Sequence, residues 1–416
     1  MKRTTNSDYL IKRQQKFPLA PRPEIYDVQH FKMHYNKNWY CGHPRQGIFN
    51  YFGSGEIIVA HNHAPCNYQV PSDIAHDLGG YHSRAATLLQ RSTDGGRTWP
   101  EKNKVCVYDE TMSLEEKRNF LYQEDASRAS YNMFLPESVF FFGRTYLKED
   151  RGGVPVCFAL RSSDKGKTWE KTPTIIKHPD GDLLWVHKDC HPVVCMPDGK
   201  TLLAAMSISP PGGPAIYAST DNGITWNFTS LVAVDMSGQG RFTYAGLLLL
   251  PNGNLSSQVC KANLQCYFLD IAQGDQTVDG IKNAICMSIS EDGGNTWSEP
   301  EPIVGKGKEC WKNQGDKGNI YRSPWPMFLK DGRILVVFAR RRLPMGIGGV
   351  ISTDDGKTWS EEFVIRDDAI CDDLGYPVGC QIEDDYIFIA YYYTLPDGNN
   401  FGGTRHIAST VFKICS

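Results

Sequence analysis

One eight-residue pattern, S-x-D-x-G-x-T-W, occurs five times in this chain, and it limits the fold more than any other feature. The copies occupy residues 92–99, 162–169, 219–226, 290–297 and 352–359. Their first serines are 70, 57, 71 and 62 residues apart, a mean of 65. In a chain of 416 residues this period leaves room for six units, so a sixth unit without the pattern is expected. The pattern has the chemistry of a hairpin turn. Its aspartate accepts hydrogen bonds from backbone N–H groups inside the turn, and the glycine two residues on can take a positive φ. The threonine and tryptophan lead into the next strand. The turn is read as scaffold, on the face away from any active site.

Each turn sits in a larger unit. An apolar strand meets a polar turn, then come a second strand, a long variable loop, a third strand, the repeated turn and a fourth strand. Unit five shows it in SPWPMFLKDGRILVVFARR, GGVISTDDGKTW and EEFVIR. Short, evenly spaced strands predict an all-β chain, and four strands in each of about six units predict a six-bladed β-propeller of antiparallel blades. Unit six lacks an outer strand, which the segment between His30 and Tyr40 is expected to supply. Residues 1–30 are read as an N-terminal arm and 31–416 as the propeller. Residues 110–128 have helical character and are read as an insertion.

Composition excludes some functions. With 44 Lys+Arg against 47 Asp+Glu, formally −3, there is no general attraction for nucleic acid, although a local arginine cluster can still bind an anionic sugar. The 20 Tyr, 9 Trp and 39 Gly belong to a globular chain. No stretch is apolar enough to span a bilayer. The first residues are basic but lack an apolar h-region, so they do not read as a secretory signal; the chain is cytoplasmic, or secreted with its signal removed. The 13 cysteines show no CxxC pair and no zinc spacing, and those in apolar runs (Cys157, Cys195, Cys260 and Cys286) are expected to be buried thiols. No motif implies a cofactor or a metal.

Five such turns in a six-unit all-β chain resemble the sialidase (neuraminidase) superfamily, in which the turn is the Asp-box or BNR repeat. The resemblance runs from about Cys41 to the end. It implies an exo-acting glycoside hydrolase whose site lies at one end of the central channel. Three arginines there clamp a substrate carboxylate, a tyrosine attacks the anomeric carbon with the help of a glutamate, and an aspartate is the acid/base. Carried over by position, Arg45 lies just before the first inner strand, Arg322 starts the inner strand of unit five, and Arg340, Arg341 and Arg342 follow its second strand. One of these last three is expected to face inward. Tyr376, at the start of unit six, takes the place of the nucleophile, and His82 or Asp73 that of the acid/base.

The chain departs from the pattern in unit four. Residues 263–284 contain no arginine, and residues 238–246 hold Arg241 and Tyr244 where a glutamate is expected. Histidines are dense instead. His43, His61, His63, His76 and His82 fall in unit one, and His187, Asp189 and His191 alternate before unit three's inner strand, where one face would carry all three. A histidine beside an aspartate is a general acid or base near neutral pH. This leaves open a second enzyme class, a polysaccharide lyase or another glycosidase using Asp189 or His191, with His187, His63 and Arg241 as substrate contacts. A third reading is a non-catalytic glycan-binding propeller, since the scaffold itself carries no chemistry.

Overall fold

The computed structural model describes residues 20–123, 128–147, 153–188, 192–235, 240–251, 263–272, 283–304 and 321–415. Strand β1 (Ile25–His34) opens the chain. Blade one follows with β2 (Trp39–Gly42), β3 (Phe49–Tyr51), β4 (Ile57–Pro65), β5 (Ala86–Ser92) and β6 (Val105–Asp109). Blade two has β7 (Val139–Thr145), β8 (Val156–Ser162) and β9 (Thr174–Ile176), three strands among the described residues. Blade three contains β10 (Trp185–His187), β11 (Val194–Cys195), β12 (Leu202–Ser209), β13 (Gly213–Ser219) and β14 (Asn227–Leu231). Blade four contains β15 (Gly240–Leu249), β16 (Leu264–Ala272), β17 (Asn283–Ser290) and β18 (Glu301–Val304). Blade five contains β19 (Tyr321–Phe328), β20 (Ile334–Arg340), β21 (Met345–Ser352) and β22 (Phe363–Ala369). Blade six contains β23 (Gly375–Gln381), β24 (Ile387–Tyr393) and β25 (His406–Ile414), and its outer strand is β1, antiparallel to β25. The chain is the six-bladed propeller that its repeats predict. The closing strand starts at Ile25, so it takes in residues 25–30, which the sequence assigned to the arm.

The repeated turns form one hydrogen-bonded unit five times over. In the turn at Asp354, Ser352 Oγ donates to Asp354 Oδ1 at 2.8 Å and accepts from Gly356 N at 2.9 Å. Thr358 donates to the same carboxylate through N at 2.8 Å and through Oγ1 at 2.7 Å. Gly356 sits at φ +83° and Asp355, just before it, at φ +58°. Two successive left-handed residues match the twist of a hairpin, and the glycine is one of them. The turns join the third strand to the fourth, which puts them at the opposite end of each blade from Tyr376.

The core is divided between neighbouring blades, because each blade is a sheet that buries both faces against its neighbours. One apolar cluster joins blades four and five (Leu269, Ile285, Val336, Val350), and another joins three and four (Leu203, Ile216, Leu264, Phe268). Cys157 and Cys286 are buried, whereas Cys195, expected inside, is exposed because its strand is only two residues long; Cys260 lies outside the described residues. The helical insertion is a short helix, α1 (Leu114–Leu121). Its capping box has Ser113 Oγ accepting from Glu116 N and Glu116 Oε2 accepting from Ser113 N. No helix among the described residues is long and apolar enough to cross a membrane.

Candidate active site

The inner strands are broken near the end where they begin, and the breaks build the site. In β15 the pairing with β16 shifts between Thr243 and Gly246; in β19 it shifts between Arg322 and Trp325, and in β23 between Gly375 and Val378. The first residue inside each break has a left-handed backbone: Tyr244 at φ +58°, Ser323 at +46° and Tyr376 at +52°. In blade one His43, between β2 and the short 3-10 turn Pro44–Gln46, does the same at +59°. This conformation costs a non-glycine residue about 1–2 kcal/mol. Bulges beside active sites re-aim side chains, and strain of this kind, repeated in four blades at one end, points to function.

The re-aimed side chains meet. The hydroxyls of Tyr376 and Tyr244 are 2.6 Å apart, and their rings meet edge to face at 5.2 Å. The His43 ring stands edge-on to Tyr376 at 4.4 Å. Arg45 is wholly buried below, and its Nη2 donates to the Tyr244 carbonyl at 2.6 Å, which holds the strained backbone. The half-buried Arg322 guanidinium lies 6.0 Å from the Tyr244 ring centre, with no hydrogen-bond partner for its Nε among the described residues. Arg341 donates to the Leu374 carbonyl at 2.9 Å and to Tyr392 Oη at 3.0 Å. Burial, with Tyr244 alongside, pushes the Tyr376 hydroxyl well above the usual phenol range, against the pull of Arg322 and Arg341.

A second layer supports the first. Asp373 accepts from Tyr392 Oη at 2.6 Å, from Arg405 Nε at 2.9 Å and from Tyr40 Oη at 3.3 Å. His76, exposed at the rim, has Nε2 at 3.3 Å from Asp373 and 2.8 Å from Tyr40 Oη. Burial alone would raise the Asp373 carboxyl; the His76 contact and the charges of Arg405 and Arg341 reverse this and hold it well below the usual carboxylate range. A polar chain runs the other way: His43 Nδ1 is 2.9 Å from Tyr81 Oη, which is 2.8 Å from His82 Nε2, and Arg144 donates to that imidazole. Burial first, then the positive charge of Arg144, lower His82 to about 2. His82 is thus neutral near pH 7.

Of the residues singled out from sequence, the structure gathers Tyr376, Arg322, Arg341 and Arg45, and reaches His82 through Tyr81 and His43. Others lie elsewhere. Asp73 accepts from the Gln69 and Val70 backbone and shapes its own loop turn. Arg342 bonds Glu362, which also takes Arg340, on the outer side of blade five. Arg241 is exposed near the start of β15. His63 stacks on Trp39 at 3.8 Å, and His187 stacks on Trp185 at 5.1 Å. Asp189 and His191 lie outside the described residues. Sequence reasoning missed Tyr40, Tyr81, Arg144, Tyr392 and Arg405. Their only signal is position: Arg405 directly precedes β25, and Arg144 and Tyr392 lie near the ends of second strands, at the Tyr376 end of their blades.

The BNR repeat-like domain family matches residues 146–389, more than half of the chain. The chain belongs to that family. No curated protein sequence matches it. Among solved structures, this BNR repeat-like protein is similar to a protein of unknown function from Dyadobacter fermentans DSM 18053, at 20% identity over 95% of this chain and 100% of that one, with a TM-score of 0.66. It is also similar to a Hadza microbial sialidase, at 17% identity over 91% of this chain and 66% of that one, TM-score 0.53. An α-L-arabinanase of Penicillium chrysogenum follows at 13% identity over 92% and 98%, TM-score 0.53. At these identities the likeness establishes the fold.

Proposed function

We propose that this BNR repeat-like protein is a sialidase-like glycoside hydrolase acting on a glycan end that carries an acidic sugar. The observation that carries the reading is the Tyr376 hydroxyl, held by a left-handed backbone at the start of β23 beside Tyr244, with Arg322 and Arg341 bearing on it. Arg322, with donor capacity left over, would take the substrate carboxylate in a bidentate grip. In this reading Tyr376 Oη attacks the anomeric carbon, a neutral nucleophile meeting an anionic sugar, as its phenolic proton passes to Tyr244 Oη and on to solvent; water then displaces Tyr376 Oη from that carbon, giving the free sugar and returning a proton to the tyrosine. The glycosidic C–O bond breaks, and the leaving oxygen takes a proton from the rim, where His76 beside Asp373 is the candidate donor. The sialidase and arabinanase named above lend the reading their shared architecture.

A second reading rests on a specific observation. Among the described residues, the group hydrogen-bonded to the Tyr376 hydroxyl is a tyrosine and not a carboxylate. Tyrosine and histidine beside arginine-neutralised carboxylate also suit β-elimination from a uronate, in which a base removes the proton next to the carboxylate and the glycosidic oxygen leaves.

One experiment separates these. Wild type and Tyr376→Phe are incubated with α-linked sialosides and with uronate oligosaccharides. Release of free acidic sugar, lowered about 10²–10⁴-fold in the variant, supports the hydrolase. A product absorbing in the ultraviolet through a new C=C bond supports elimination. Saturable binding without either product would sink both and leave a glycan-binding propeller.

A further inference from the structure

A second cluster of reactive side chains lies apart from the tyrosines, at the seam where the ring closes. His34 ends β1, the outer strand of blade six. Cys41 and His63 are directly paired residues of β2 and β4 in blade one. The ligand-capable atoms of these three residues all lie within 4.8 Å of one another. Cys41 is on the opposite side of β2 from Tyr40, so this cluster and the Asp373 layer do not share a face.

Three further features are those of a metal shell. Trp39 stacks on His63 at 3.8 Å and an interplanar angle of 11°, which fixes that imidazole. His34 Nε2 is buried without a hydrogen-bond partner. The adjacent His61, its ring 5.4 Å from that of His34, has Nδ1 2.9 Å from the Asn62 carbonyl. That contact puts the proton on Nδ1 and leaves a lone pair on a wholly buried Nε2, which also has no partner. His61 stands outside the three-donor set and offers a further buried imidazole nitrogen beside it. Lys104 Nζ donates to His34 Nδ1 at 3.2 Å, which puts the imidazole proton on Nε2; metal binding through Nε2 therefore moves that proton to Nδ1 and turns Lys104 to its other partner, Glu101.

We propose that His34, Cys41 and His63 form a site for a thiophilic divalent metal of the zinc class, tying the ring-closing strand β1 to blade one. Two imidazoles and a thiol with no carboxylate suit Zn²⁺ and disfavour Ca²⁺ and Mg²⁺. A tetrahedral shell with Zn–N near 2.0 Å and Zn–S near 2.3 Å needs donors roughly 3.5 Å apart, so inward shifts of about 1 Å close the set. The sulfur loses its proton to solvent as the metal–sulfur bond forms.

The test uses the full chain stripped with a chelator and titrated with Co²⁺, then Zn²⁺. The expected result is one equivalent of Co²⁺ bound, with a thiolate-to-cobalt charge-transfer band, displacement of that band by Zn²⁺, and a rise in melting temperature. Cys41→Ser should abolish the band and weaken Co²⁺ binding by at least about 100-fold, the upper end of what losing an outer-shell partner does. If Cys41→Ser does not fold, His63→Ala, at a half-buried position, carries the same expected loss of affinity. Folded wild type without a thiolate band would overturn the proposal. So would a band unchanged in either variant, which would place the metal on the exposed Cys106, Cys195 or Cys415.

Discussion

At the scale of single residues, Arg322 and Asp373 have opposite duties. Arg322 Nε has no hydrogen-bond partner among the described residues, and its guanidinium lies 6.0 Å from the Tyr244 ring centre. Arg322→Ala should lower kcat/KM on an acidic glycan about 10–100-fold, the worth of a charge-assisted hydrogen bond, and leave melting unchanged. Steady-state kinetics beside a melting curve checks both halves, and an equal loss on a neutral glycan would remove Arg322 from carboxylate binding. Asp373 is an organiser, bonded to Tyr40, Tyr392 and the buried Arg405. Its carboxyl is depressed in the folded state, so its stabilisation is full above pH 4 and fades as the pH falls through the lower folded value. Asp373→Asn should cost about 3 kcal/mol at pH 7 by breaking a buried pair, and the gap to wild type should narrow below pH 4; denaturant curves at several pH values read this out. Tyr376, Arg45 and Arg322 were legible as candidates in the sequence because they stand near inner-strand starts, and Arg341 because it follows the second strand of blade five. Tyr40, Tyr81 and Arg405 were not, since a residue packed behind a site has no sequence pattern of its own.

At the scale of elements, the repeated turn was readable in full because its chemistry is local: three donors, from two residues within four positions, satisfy the Asp354 carboxylate. Asp354→Ala removes the acceptor for Ser352, the Thr358 N–H and the Thr358 hydroxyl. The expected cost is about 1–3 kcal/mol, measured by thermal unfolding, with glycan turnover untouched because the turn is at the far end of the blade. A loss of turnover in folded Asp354→Ala would show that the two ends are coupled. The bulges are the contrary case. Tyr244, Ser323 and Tyr376 are left-handed without being glycines, although Gly375, at φ +115°, directly precedes Tyr376. They exist because strand pairing further along and the channel-end contacts jointly outweigh the local strain. Blade two shows the same limit, since its expected inner strand is not formed among the described residues.

At the scale of the whole molecule, the ring is held by β1 on β25. Without it, β25 is an open edge strand, and such edges aggregate. Removing residues 1–34 should therefore lower the melting temperature and yield soluble aggregates by light scattering; a truncated chain that melts as wild type and stays monomeric would mean that the other blades close the ring unaided. The sequence by itself determined the all-β architecture, the number of blades and the strand order within each, because turn chemistry and strand alternation are short-range properties repeated along the chain. It also pointed to the blade ends where Tyr376, Arg322 and Arg341 stand. Only the tertiary structure decided which side chains meet. Closing the ring brings residues as distant as Tyr244 and Tyr376 into hydrogen-bond contact, sends His63 away from them toward His34 and Cys41, and puts Tyr244 where a carboxylate was expected. Those encounters depend on blade packing and on bulges whose strain is offset by contacts far away in sequence, and no local pattern records them.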